Sequence, residues 1–169
     1  MTTWKASSVK PTALYDASQD RVRVVEVTFT EADGSAAGVY TGSVIIPSGS
    51  YLVDIIIHGE AVWDAGTDAI MIVGDTADPN GFIAALSLKT ADLTAAQSIN
   101  FYAAGGQEGA DIEDVATAGS QISRRYLAAA RTITGEVTTT GNVGTAGVTR
   151  MIVVYARPTT VEVASFVAT

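Results

Sequence analysis

The sequence of 169 residues predicts an all-β domain, an antiparallel β-sandwich, and three observations carry that reading. Val, Ile and Thr together fill 53 positions; β-branched side chains lose rotamer freedom in a helix and suit a pleated sheet. Sixteen glycines, with short Asp, Ser and Thr clusters, punctuate the chain, roughly every ten residues, which is the cadence of a sandwich or barrel. Charged residues make up 17% and hydrophobic residues 47%, so a disordered chain is excluded and more surface than usual is expected to be buried, including against partners. The length suits one domain and buries a core without staples.

Residues 1–20 are polar, with Trp4, Pro11, Leu14 and Tyr15 scattered among Ser, Thr and Lys, and read as an extended arm. A sandwich domain is expected over 21–156, followed by a C-terminal strand or tail over 157–169. Residues 21–30 read as a strand, with Val22, Val24 and Glu26 on one face and Arg23, Val25, Val27 and Phe29 interrupting the pattern. A loop over 31–38 carries a turn signal at Asp33-Gly34. Val39 to Ile46 is the next strand, closed by Pro47-Ser48-Gly49. Tyr51 to Gly59 has the strongest alternation, with Tyr51, Val53, Ile55 and Ile57 on one face and Leu52, Asp54, Ile56 and His58 on the other. A loop over 60–68 holds Trp63. Strands follow at 69–74, 82–88 and 97–102; a polar turn over 75–81 and a loop over 89–96 with one helical turn separate them. Residues 103–121 read as a long exposed acidic loop, well above the usual length of about 4–6 residues. Tyr126 to Thr140 reads as one strand containing Ala128-Ala129-Ala130. A Gly-rich turn over 141–147, a strand over Val148 to Ala156, a break at Arg157-Pro158 and a last short strand or tail over 161–167 complete the chain. Eight or nine strands with two loose ends suggest a jelly-roll-like sandwich, with an immunoglobulin-like topology as the rival.

The formal net charge is −8, which argues against nucleic acid as a partner, since phosphate binding needs clustered Lys and Arg. Residues 1–120 hold 5 basic and 16 acidic groups, and residues 121–169 hold 5 basic and 2 acidic. That asymmetry is ordinary surface variation, or a pair of complementary faces that meet between subunits or on a larger acidic or basic body. The absence of cysteine removes disulfides, thiolate metal sites and Cys nucleophiles, and a single histidine removes His-rich metal sites. No apolar run follows Lys5, so no standard export signal is expected and synthesis in the cytoplasm is. The longest apolar runs, such as Ile55-Ile56-Ile57, fall far short of the ~20 residues that span a bilayer, so no membrane partner is expected.

Few residues carry candidate chemistry. Asp54 and His58 share a strand face and could orient an imidazole, but no Gly-x-Ser-x-Gly elbow supplies a nucleophile, so a hydrogen-bonded structural histidine is expected. Asp75, Asp78 and Asn80 crowd one turn before Gly81; such oxygens suit a hard cation, but the spacing is not that of an EF-hand and the same residues stabilise turns on their own. Glu108, Asp111, Glu113 and Asp114 are expected on a solvated loop, with a metal or partner site as the alternative. Trp63 is expected as a lid on the core, or else as a sugar-stacking platform or interface anchor. The Gly-rich stretches 105–109 and 141–147 lack the phosphate-cradling pattern. No catalytic, cofactor or metal residue is assigned, and no enzyme activity or cofactor is expected.

One resemblance goes further. Ile46-Pro47-Ser48-Gly49, Asp54-Ile55-Ile56, Ala61-Val62-Trp63-Asp64-Ala65-Gly66-Thr67, Val73-Gly74-Asp75, Ala77-Asp78-Pro79-Asn80-Gly81-Phe82 and Leu88-Lys89-Thr90-Ala91-Asp92-Leu93 follow one another in order. Gly144-Thr145-Ala146-Gly147 and Met151-Ile152-Val153-Val154-Tyr155 follow later. This series resembles tailed-bacteriophage head decoration, or capsid cement, proteins, over roughly residues 40–100 and 127–156 (the arm and the acidic loop show no match). The resemblance implies a virion protein on the outer capsid surface. It would be a homotrimer that binds the major capsid protein and bridges capsomers without catalysis. The alternative is a tail, fibre or spike domain that binds a cell-surface glycan.

Overall fold

The computed structural model describes residues 22–33, 38–89, 91–100, 109–111, 126–142 and 144–157. The expected arm over 1–20, the tail beyond Arg157 and most of the loop over 103–121 lie outside these residues. The described residues form nine strands: β1 (Val22–Thr30), β2 (Val39–Ile46), β3 (Ser50–Ala61), β4 (Asp68–Gly74), β5 (Ile83–Ser87), β6 (Gln97–Asn100), β7 (Tyr126–Leu127), β8 (Arg131–Thr140) and β9 (Val148–Ala156). A 3-10 turn, Glu31–Asp33, follows β1.

All pairings are antiparallel. One sheet has the order β1-β9-β3-β6, with the two-residue β7 also on β3; the other has the order β2-β8-β4-β5. The pairs β1–β9, β2–β8, β3–β6 and β4–β5 are the rungs of one long antiparallel ribbon. Rolling that ribbon up adds β3–β9 and β4–β8. This is the jelly roll, and it disposes of the immunoglobulin-like rival. One end of the sandwich gathers the β1–β2, β3–β4, β5–β6 and β8–β9 connections. The other end gathers the start of β1, the end of β9 and the turn over 75–81.

The core is the set of inward side chains between the sheets. Ile55, Ile57, Met151 and Val153 come from the first sheet, and Ile46, Met71, Val73, Ile133 and Val137 from the second; all are fully buried. Burying each such side chain contributes about 1.5–3 kcal/mol. Phe29 projects inward from β1 over two register partners, Gly42 and Gly135. A Cβ on Gly135 would lie 2.8 Å from the Phe29 ring and 2.9 Å from Met71, so these glycines make the room that the ring fills.

Three expectations are corrected. In β3 the faces change phase at a β-bulge between Leu52 and Asp54, where Val53 is the extra residue. Leu52 is therefore inside with Ile55 and Ile57, while Tyr51 and Val53 are outside. The expected single strand over 126–140 is two, β7 in the first sheet and β8 in the second, with Ala128–Ala130 crossing between them. The segment 89–96 has turns but no helix among its described residues.

Candidate functional site

The sequence candidates separate rather than converge. His58 lies on the outer face of β3 and its Nδ1 is 2.8 Å from Ser98 Oγ on β6, so it is a hydrogen-bonded histidine. Asp54 turns back to accept the N–H of Ile55 at 2.8 Å and takes a long bond from Asn100 Nδ2 at 3.4 Å. No hydrogen bond links Asp54 to His58. Next to them a groove of about 630 Å³ runs along β6, lined by Asp54, Ile56, Asp92, Leu93, Ser98 and Asn100 among others.

Asp75 is buried, and its carboxylate is fully engaged. Oδ1 accepts the N–H groups of Ala77 at 2.8 Å and Asp78 at 3.0 Å, and Oδ2 pairs with Arg131 Nε at 3.2 Å. The turn is closed by the Asp75 N–H on the Asp78 carbonyl at 2.9 Å. These contacts fit the turn reading of Asp75, Asp78 and Asn80, and among the described residues no group of three His, Asp or Glu could hold a metal ion. Asp111 departs from expectation. It is buried, its N–H donates to the Gly81 carbonyl at 2.8 Å, and Gly109 N–H donates to the Phe82 carbonyl at 3.1 Å. This part of the acidic loop is therefore docked on the 75–81 turn rather than solvated. Glu108, Glu113 and Asp114 lie outside the described residues.

Trp63 is a lid, 1% exposed. Its Nε1 donates to Thr149 Oγ1 at 2.8 Å, and the Tyr40 ring meets it edge-on with centroids 5.0 Å apart. Gly147 lies against the indole face, where a Cβ would collide with the ring. Burial removes Trp63 as a sugar platform or surface anchor.

The residue that sequence reading missed is Glu31, which has no exposed surface. Its Oε1 accepts Ala65 N–H at 2.8 Å, and its Oε2 accepts Asp64 N–H at 3.0 Å and Gly147 N–H at 2.8 Å. Its own N–H donates to the Gly147 carbonyl at 2.8 Å, and its carbonyl accepts Tyr40 O–H at 2.8 Å. One carboxylate thus ties together the β1–β2, β3–β4 and β8–β9 connections. Asp64 repeats the motif on the exposed side, accepting Thr145 N–H at 2.7 Å and Ala146 N–H at 3.1 Å. Those two N–H groups, and then a hydrogen bond with Glu31, hold the Asp64 carboxyl below its ordinary value. Burial, and then the Glu31 charge, raises the Tyr40 phenol. The one signal in the sequence was the small-residue run Gly144-Thr145-Ala146-Gly147, whose backbone donors are open to approach.

Both outer faces mix polar and apolar groups; on the second sheet Ile45 is 71% and Val39 41% exposed on β2. On the second sheet β8 presents Thr132, Thr134, Glu136, Thr138 and Thr140 outward, as expected of a solvated face. On the first sheet the register places Val22, Ala156, Tyr51 and Tyr126 in one row across four strands, with Val24, Val154 and Asp54 in the next. Val22 is 58%, Val24 62% and Tyr126 53% exposed. No helix among the described residues is long and apolar enough to cross a membrane.

No protein-family model matches the sequence. No curated protein matches it either. The fold is similar to that of a chain in the cyanophage Pam1 capsid asymmetric unit, with a TM-score of 0.51 and 15% identity over 82% of this chain and 84% of that one. Chains of the acidic stable capsid of Helicobacter pylori bacteriophage KHP30 (TM-score 0.48, 15% identity, 82% and 90% covered) and of the capsid of Ralstonia phage GP4 (0.46, 18%, 82% and 86%) are also similar. At such identities the likeness concerns the fold.

Proposed function

We propose that this chain is a non-catalytic structural protein of a phage virion, a decoration or cement protein that binds the outer surface of the capsid. In this reading it is a homotrimer whose partner is the major capsid protein, and it stabilises the shell by bridging capsomers. The observation that carries the reading is the similarity of fold, which extends over 82% of this chain and 84% of the Pam1 capsid chain. The ordered series of motifs from Ile46 to Leu93 supports it from the sequence side. The physical character of the domain agrees. The buried carboxylates of Glu31 and Asp75 tie loops and turns together and do not meet around a reacting centre. Burial of Trp63 removes the main support for the tail, fibre or spike reading, which needed an exposed stacking ring.

The test is co-sedimentation of the purified protein with the empty shell of its cognate phage, with and without the protein in excess. The expected result is saturable binding and a higher melting temperature for the decorated shell. A protein that stays in the supernatant and leaves shell melting unchanged overturns the proposal.

A further inference from the structure

The 75–81 turn holds an asparagine followed by glycine, a pair with a chemistry of its own. The chain has three asparagines, and Asn80 is the one that precedes glycine. With no Cβ on the following residue, the backbone nitrogen is open to the asparagine side chain. Asn80 is exposed, and among the described residues its carboxamide has no hydrogen-bond partner. Asn142 is exposed too, but the β-branched Val143 follows it. Asn100 is followed by Phe101, and its Nδ2 bonds Asp54. The packing favours glycine at 81: a Cβ there would lie 2.5 Å from Oδ2 of the buried Asp111 and 3.1 Å from Asp78 Cγ.

Two restraints hold the pair apart. The Gly81 N–H closes a four-residue turn on the Asp78 carbonyl at 3.2 Å, with Pro79 and Asn80 in the middle. Asn80 keeps a negative φ, which fits a type I turn, whose second central residue has ψ of about 0°. The Gly81 nitrogen then faces away from the Asn80 carboxamide carbon. Bringing them together requires the peptide between Asn80 and Gly81 to swing about the Asn80 Cα–C bond. That swing breaks the turn bond and moves the Asn80 carbonyl, on which Gly109 is packed. A Cβ on Gly109 would collide with the Asn80 oxygen and the Gly81 carbonyl carbon, so the docked 109–111 segment leaves no slack there. Its own bonds, Gly109 N–H to Phe82 and Asp111 N–H to Gly81, fix it in place.

We propose that Asn80-Gly81 is a site of spontaneous deamidation and that the docked 109–111 segment is its guard. A solvent hydroxide takes the Gly81 N–H proton as that nitrogen bonds to Asn80 Cγ. The Cγ–Nδ2 bond breaks, and the nitrogen leaves as ammonia, taking a proton back from water. Water then opens the resulting succinimide at either carbonyl. Opening at Cγ gives aspartate. Opening at the Asn80 carbonyl carbon gives isoaspartate, whose main chain runs through Cβ and is one carbon longer. Either product adds a negative charge beside Asp78. The longer chain of isoaspartate moves Gly81 and Phe82 out of the register in which they accept Asp111 and Gly109, so the guard undocks. The chemistry is independent of whether the chain binds a shell.

The experiment incubates the full chain in mildly alkaline buffer and follows each asparagine by peptide mass spectrometry over weeks. Asn80 is expected to convert several times faster than Asn100 and Asn142. Gly109→Ala is expected to speed conversion at Asn80 several-fold and to leave Asn142 at its wild-type rate. Should that variant fail to fold, as judged by far-ultraviolet dichroism, Pro79→Ala carries the same test, because it loosens the backbone of the turn. Aged protein enriched in isoaspartate is expected to exchange the amide hydrogens of Gly109 and Asp111 faster than fresh protein. An Asn80 that converts no faster than Asn142 overturns the site. A folded Gly109→Ala chain that converts at the wild-type rate overturns the guard, and so does unchanged exchange at Gly109 and Asp111 in the aged protein.

Discussion

A carboxylate with no exposed surface is tolerated only when its oxygens are filled, and Glu31 fills both with backbone donors from two other connections. Glu31→Ala leaves the N–H groups of Asp64, Ala65 and Gly147 without their acceptor. An orphaned buried donor costs about 1–3 kcal/mol, so the expected loss is about 3 kcal/mol or more, read as a lower denaturant midpoint at unchanged m. Glu31→Gln keeps one acceptor oxygen and is expected to lose less. Asp64 gives a pH dependence. Its folded carboxyl titrates below its ordinary value of 3.8, so its stabilisation is complete above that value and is lost as pH falls through the lower folded one. Unfolding midpoints of wild type and Asp64→Asn between about pH 5 and about pH 2 check this; the variant is expected to show the shallower acid fall. Neither role was legible in the sequence. The partners of Glu31 lie 33, 34 and 116 residues away, and a Glu beside a turn signal looks solvated. The Asp75 turn was legible because its partners Ala77 and Asp78 are two and three residues on.

At the scale of elements the same distinction holds. The spans of β2 and β9 could be read directly from the sequence, because each is an unbroken β-rich run bounded by Gly or Pro. The bulge in β3 could not, since a strict period of two has no way to represent an inserted residue, and one inserted residue reverses every face before it. The crossing at Ala128–Ala130 was hidden for a related reason: alanine fits both a strand and its interruption. β8 was found, but the purpose of its central glycine was not. Gly135 faces inward beneath Phe29, beside Met71. Gly135→Val therefore drives a side chain into filled space, and the expected loss is about 1–3 kcal/mol, the usual cost of overpacking. Pairing that substitution with Phe29→Ala, which vacates the space, is expected to give a smaller combined loss than the sum of the two single losses in equilibrium unfolding.

For the whole molecule, composition was enough to give an all-β sandwich, but strand order follows from long-range pairing and emerges only in the folded chain. The order matters for the proposed role. Rolling up the ribbon leaves exposed apolar side chains on both outer faces, Val22 and Val24 on the first sheet and Ile45 on the second. On the proposed homotrimer reading, a shell that offers many copies of one site is met by several linked copies of this domain, and linked contacts strengthen each other without any single one being strong.

The pairing of β1 with β9 has a mechanical consequence. These strands are antiparallel neighbours, and Val22 and Ala156 are register partners at one edge. Tension applied at those two residues pulls along the line of the interstrand hydrogen bonds and meets them one rung at a time, like a zipper opened from its end. A load spread across the sheet faces meets the whole sandwich at once. The domain is therefore built to resist force that arrives through its sides and to yield to force that arrives through these two strand ends.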